Sequence, residues 1–249
     1  MAYPRRGVRN RQAANPAAAR RIYLTWTMAA APIPIDVWAD IACPWCFLGH
    51  HRLRQALADE PSGAVAVHPR AFELQPDLPP EGMATEDFYP RKFGSVEAMR
   101  EAFERVTAEA ARSGLELRFD RMRRAPNTRL GHRLVALAAR RGRAVEALRA
   151  LFAGHFQEGA DVADPEQALA LVAAAAPGLD AAALRAELDA GEGEREVSAE
   201  EGLAGRMGLT GVPFFLAGRA VALSGAHEPA VLRELLAAAR QRAEAEAAP

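Results

Sequence analysis

Ile35-Asp36-Val37-Trp38-Ala39-Asp40-Ile41-Ala42-Cys43-Pro44-Trp45-Cys46-Phe47 joins two patterns within thirteen residues. Residues 35–39 alternate apolar and polar side chains and predict a short buried strand. From Phe47 to Asp59 the apolar residues Phe47, Leu53, Ala56 and Leu57 recur at helical spacing. Cys43 therefore falls at a strand-to-helix junction, with Pro44 at the first helical position, where its missing N–H costs nothing. The two cysteines are the only ones in the chain. Random placement of two cysteines would give this spacing roughly once in 120 cases, so the C-x-x-C reading carries weight.

That placement has chemical consequences. Unpaired N–H groups and the positive end of the helix dipole favour an anion at a helix start. A thiolate at Cys43 is thus the expected nucleophile, and Cys46, one turn deeper, the resolving thiol. Trp45 is bulky and apolar and carries no positive charge to stabilise a thiolate as a protonated histidine can, so the motif predicts a less oxidising centre than a histidine-containing one. A structural disulfide closing so short a loop would constrain little of the unfolded chain. Cys43, Cys46 and His50 have metal-like spacing, but a structural zinc site needs four ligands and there is no second cysteine pair, so no metal is expected. His50 is expected on the helix surface or as an electrostatic neighbour of the thiols.

The flanks extend the pattern. Residues 65–72 predict a second strand, and 73–82 a proline-rich loop. From about Thr85 to Met207 the chain is helical in character. Val96–Ser113, Thr128–Arg141, Ala144–Gln157, a helix opened by Asp164-Pro165, one capped by Asp180, and Glu194–Met207 are its expected helices. Leu115–Phe119 is a short alternating piece. Phe214–Leu216 and Ala220–Leu223 around Gly218 predict a hairpin, and Val231–Glu246 a last helix fraying from Ala243. The order β-α-β, helical block, α-β-β-α makes one mixed sheet only if the block is an insertion. The expected organisation is an extension over 1–30, a core from 33–82 and 208–243, and a helical insertion over 83–207.

Half the residues are hydrophobic, a quarter are charged and the net charge is −1. Residues 1–27 hold six arginines and no acid, leaving 25 basic against 32 acidic residues elsewhere. A body of that sign is a poor binder of nucleic acid. No run reaches the length of a membrane span. Arg20-Arg21 followed by Ala29-Ala30-Ala31 faintly resembles an export signal, but the apolar stretch between is short and interrupted. The preferred reading is a start at Met28 behind a disordered or over-read extension, in a protein of the reducing cytoplasm.

A second feature is Val212-Pro213. A proline opening a central strand cannot donate to the ladder. It is either a cis bond presenting backbone to a ligand or a plain trans proline, and the residues alone leave both open.

Five separated segments resemble the DsbA family, more narrowly its FrnE-like branch. They are Asp40–Cys46 with Gly49, Phe72–Pro79, Asn127-Thr128 with His132-Arg133, Leu151–Gly159, and Gly211–Phe215. The resemblance implies a thioredoxin-like α/β fold with a large all-helical insertion. It implies Cys43, Cys46 and a cis Pro213 facing them as catalytic residues, and Pro44, Trp45, the Val212 backbone and Asn127 as substrate contacts. Protein or peptide thiols and disulfides are the implied partners, with a homodimer open and no bound prosthetic group. Asn127 has a plainer reading as a helix cap, and His227, where the family often has glutamine, as a titrating group or a cap. Two other functions share these residues. One is a glutathione-using isomerase or transferase of the same fold, with glutathione as co-substrate, against which the intact cysteine pair argues. The other is a redox-sensing holdase.

Overall fold

The computed structural model describes residues 31–247, so the expected N-terminal extension and the export-like segment lie almost wholly outside the described residues. Strand β1 (Ile33–Ala39) leads into helix α1 (Pro44–Ala56) and strand β2 (Val65–Ala71). A long helical stretch follows before the hairpin of β5 (Phe214–Ala217) and β6 (Val221–Ser224) and the C-terminal helix α9 (Pro229–Ala247). The sheet order is β2-β1-β5-β6, with β1 parallel to β2 and antiparallel to β5. Two halves some 140 residues apart in the chain thus pair directly, with Val37 opposite Phe215 and Trp38 opposite Phe214. The fold is thioredoxin-like: a mixed sheet with helices on its faces.

The alternation of β1 decides which side chain meets which layer. Ile35 and Val37 join Phe215 and Ala217 in a core closed by Leu53 and Ala56 of α1 and by Leu232, Leu235 and Leu236 of α9. Trp38 points the other way, packs edge-on to Phe214, and donates its indole N–H to the Glu200 carbonyl at 3.3 Å. The second, larger core holds Cys46, Phe47 and Leu48 of α1 against Leu134 and Leu137 of α4 (Arg129–Ala139) and Leu151 and Phe152 of α5 (Ala144–Ala153). Helix α1 therefore serves both cores, which fixes its start against the sheet.

The connecting helices are α2 (Thr85–Phe93), α3 (Val96–Arg112), α4, α5, α6 (Pro165–Ala175), α7 (Ala181–Asp189) and α8 (Glu194–Arg206). Two begin at the expected caps, where the Asp164 and Asp180 side chains accept from the N–H groups of Gln167 and Ala183, and the structure adds a third, Ser95, which accepts from Ala98. A two-residue ladder pairs β3 (Met83–Ala84) with β4 (Arg124–Ala125) and was not legible from pattern. Leu115–Phe119 forms no strand. Leu115 and Leu117 are buried and Glu116 exposed, but the Arg118 N–H goes to the Phe156 carbonyl, so the alternation serves packing and not a sheet. The expected helix over 144–157 ends as α5 and continues as one π-helical turn, Gly154–Glu158. Helix α1 stops at Ala56, before the expected Asp59, and α9 runs to Ala247. No helix of the described residues is long and apolar enough to cross a membrane.

Candidate functional site

Cys43 is the N-cap of α1, in extended conformation, and its carbonyl receives the N–H groups of Cys46 and Phe47. Both cysteines are free thiols. Cys43 is 5% exposed and lines a cavity of about 450 Å³, whereas Cys46 is 1% exposed and does not reach it. Burial, then the neighbouring Cys43 and the Asp40 carboxylate, push the Cys46 thiol well above its ordinary range. Cys46 therefore stays protonated while Cys43 is the sulfur within reach of a substrate.

The turn before α1 is held by Asp40, 1% exposed. One carboxylate oxygen accepts the Ala42 N–H at 3.0 Å and the other the Leu74 N–H at 2.6 Å, tying the cysteine turn to the proline-rich loop. Burial alone would raise the Asp40 carboxyl, but His132 and the two amide donors outweigh it and hold the group below the usual range. His132 Nε2 lies 3.8 Å from Asp40, beyond hydrogen-bond length, and has no hydrogen-bond partner among the described residues. Its place beside Asp40 follows from the packing of α4 and not from its position in the segment 127–133.

Pro213 completes the enclosure. The Val212–Pro213 bond is cis, and the Val212 carbonyl oxygen lies 3.9 Å from Cys43 Sγ. Gly49 explains how the two halves come so close. A Cβ at that position of α1 would stand 2.9 Å from Pro213 Cγ and 3.3 Å from Phe215 Cζ. The structure thus brings Cys43, Pro44, Trp45, Val212 and Pro213 to one place. Asn127 lies elsewhere: it donates to the Leu78 carbonyl at 2.8 Å and accepts the Arg129 N–H at 3.0 Å, so its side chain opens α4 and is not in the wall of the Cys43 cavity. His227 neither joins this group nor caps α9 with its ring, which bonds the Ser224 carbonyl at 2.8 Å. Among the described residues no three His, Cys, Asp or Glu side chains group as a metal-ligand set.

His50 corrects one expectation. It is 6% exposed and packs on Phe152, because the face of α1 carrying Cys46 turns into the helical core. Burial, then the charges of Arg54, Arg149 and His51, lower it to about 4, and burial likewise takes His155 to about 4. Both are neutral at pH 7. A histidine whose folded pKa is depressed from about 6.5 stabilises fully above 6.5, and that contribution is lost as pH falls toward 4. Each shift corresponds to about 3 kcal/mol. Glu73, raised to about 6 by burial and Glu201, works oppositely between 4.5 and 6 and offsets part of this. The net expectation is a loss of several kcal/mol between pH 6.5 and 4. Urea midpoints across that range measure it, and a flat profile contradicts it.

A dithiol at a helix start, backed by a buried acid and faced by a cis proline on a thioredoxin-like sheet, is the candidate site of a thiol–disulfide oxidoreductase fold. The chain belongs to the DsbA family: the model for the DSBA-like thioredoxin domain matches residues 34–237. A structure described as a probable DsbA oxidoreductase from Streptomyces coelicolor shares 35% identity, with 84% of this chain and 90% of that one covered and a TM-score of 0.73. The cytosolic disulfide reductase DsbM from Pseudomonas aeruginosa, with GSH, aligns at 21% identity over 86% of this chain and 98% of its own, TM-score 0.55. A 2-hydroxychromene-2-carboxylate isomerase aligns at 17% identity over 85% and 98%, TM-score 0.62. The last two show likeness of fold. The comparison with curated proteins found no match.

Proposed function

We propose that this chain is a thiol–disulfide oxidoreductase or isomerase of the FrnE-like branch, acting on protein or peptide thiols through Cys43 and Cys46 in a reducing cytoplasm. The observation that carries the reading is the asymmetry of the pair: Cys43 opens onto a cavity and Cys46 lies sealed behind it. The Cys43 thiolate attacks one sulfur of a substrate disulfide, that S–S bond breaks, and the other substrate sulfur leaves as a thiolate. Cys46 then loses its proton and attacks Cys43 Sγ. The mixed disulfide breaks, the second substrate thiolate leaves, and the protein ends oxidised by two electrons. Run backward, the same steps oxidise a substrate dithiol. Val212 and Pro213 hold an extended substrate against Cys43, and Trp45 places the couple on the less oxidising side. Equilibration with a glutathione series gives that direction.

The test is capture. A Cys46→Ser protein cannot resolve and is expected to accumulate a mixed disulfide through Cys43 with a disulfide-bonded protein such as insulin, seen by mass spectrometry. If it instead binds glutathione saturably and takes up no protein or peptide, the glutathione-dependent reading of the same fold replaces this one.

A further inference from the structure

The cavity beside Cys43 has an uneven chemistry. Its far wall is aromatic: Tyr89 meets Phe103 edge-to-face at 5.2 Å, and Phe103 stacks on Phe119 at 4.1 Å. Its charged lining residues are Lys92 on α2 and Arg105 on α3, and among the described residues no acid lines it. The acids of those helices, such as Glu101 and Glu104, are not in its wall. Lys92 is the only lysine in a chain with 31 basic residues. Arginine would be the default here, so a lysine at this mouth is out of pattern. Its ammonium lies 5.5 Å from the Phe88 ring centre, and neither it nor Arg105 forms an ion pair among the described residues. By contrast Arg52, Arg70, Arg129, Arg140 and Arg141 are each neutralised by carboxylates. The cavity of about 300 Å³ between β2 and helices α4 and α5 has no thiol in its wall.

We infer that the site selects disulfides and thiols carrying a carboxylate beside an aromatic or bulky apolar group, the apolar part entering against Phe103 and Phe119 and the carboxylate meeting Lys92 and Arg105. This rests on the exchange reading of Cys43 and adds the substrate class. Apolar contact supplies non-directional binding, while a cation pair distinguishes an acid from its neutral isostere. The same chemistry belongs to a peptide with cysteine next to phenylalanine and glutamate and to a small aromatic thiol acid.

Stopped-flow reaction of the reduced protein with 5,5′-dithiobis(2-nitrobenzoate) and with its bis-carboxamide analogue tests this, each rate divided by that of 2-mercaptoethanol with the same reagent. The wild type is expected to favour the acid by about ten-fold at low salt, declining as ionic strength rises. The Lys92→Gln/Arg105→Gln protein is expected to lose most of that ratio, and the charge-preserving Lys92→Arg/Arg105→Lys protein to keep it. A wild-type ratio near one, or a ratio unmoved by the glutamine pair, overturns the inference. A parallel pair of peptide disulfides, Phe-Glu against Phe-Gln beside the cysteine, separates the sources: preference there supports a peptide, and preference for the nitrobenzoate alone a small acid. A Cys43→Ala control keeps the two levels apart. If it reacts with both reagents as fast as wild type, the exchange reading of Cys43 has failed, and not the charge selection.

Discussion

Alanine at position 43 is expected to remove disulfide exchange down to the uncatalysed rate, a loss on the order of 10³ or more, while alanine at 46 spares the first chemical step and blocks only turnover. The difference follows from position. A covalent nucleophile has no substitute once its sulfur is gone, and the only other thiol in the chain lies 1% exposed behind it. Burial, with Cys43 and Asp40 alongside, also keeps Cys46 protonated, so it does not take over the attack. Cys46→Ala should therefore react once with an aromatic disulfide at a rate within a few-fold of wild type and then stall. Single-turnover stopped-flow reads the first step and insulin reduction reads turnover. Equal loss of the first step in both variants would mean that the assigned division of labour is wrong.

Strand β1, the start of α1 and the β5–β6 hairpin could be read from the chain because each is a local pattern: alternation, a proline at the first helical position, a glycine turn. The helix starts at Ser95, Asp164 and Asp180 rest on side-chain caps that act within three residues. What sits around Cys43 divides along the same line. The cysteine pair is a sequence motif, and Pro213 could be placed opposite it through family resemblance, since nothing within its own neighbourhood distinguishes cis from trans. Lys92 and Arg105 gave no signal of belonging together, because α2 and α3 must fold against each other before both reach one cavity. The burial of His50 was missed for a related reason. Helical spacing shows that Cys46 and His50 share a face, but only the packing of α5 against α1 turns that face inward. At Leu115–Phe119 a period-two pattern arose without a partner strand, since alternating burial needs a core on one side and not a ladder.

Arg52→Ala is expected to cost about 3–5 kcal/mol of stability without touching the cysteines' chemistry. Arg52 is 2% exposed, and every edge of its guanidinium is used: Nε donates to Ser113 Oγ at 2.8 Å, Nη1 to the Ala226 carbonyl at 2.7 Å, and Nη2 to Glu109 at 2.6 Å and Glu228 at 2.5 Å. These partners lie in α3 and its C-cap and just before α9, so one side chain of α1 pins two segments that are more than 100 residues apart in sequence. Removal leaves the Ser113 hydroxyl and the Ala226 carbonyl without that donor and opens a cavity the size of an arginine. The carboxylates soften the loss, because Glu228 is 60% exposed to water and Glu109 also pairs with Arg112. That argues for the lower end of the range, a fall in Tm of roughly 6–12 °C for a domain of this size. Arg52→Lys should recover less than half, since an ammonium supplies the charge but not the planar fork that reaches four acceptors at once. Arg52→Met, which refills the volume but leaves the polar partners unmatched, should fall between alanine and wild type. Urea denaturation of the three variants gives the order directly. A methionine variant as stable as wild type would show that packing, and not the hydrogen-bonded fork, is what Arg52 contributes.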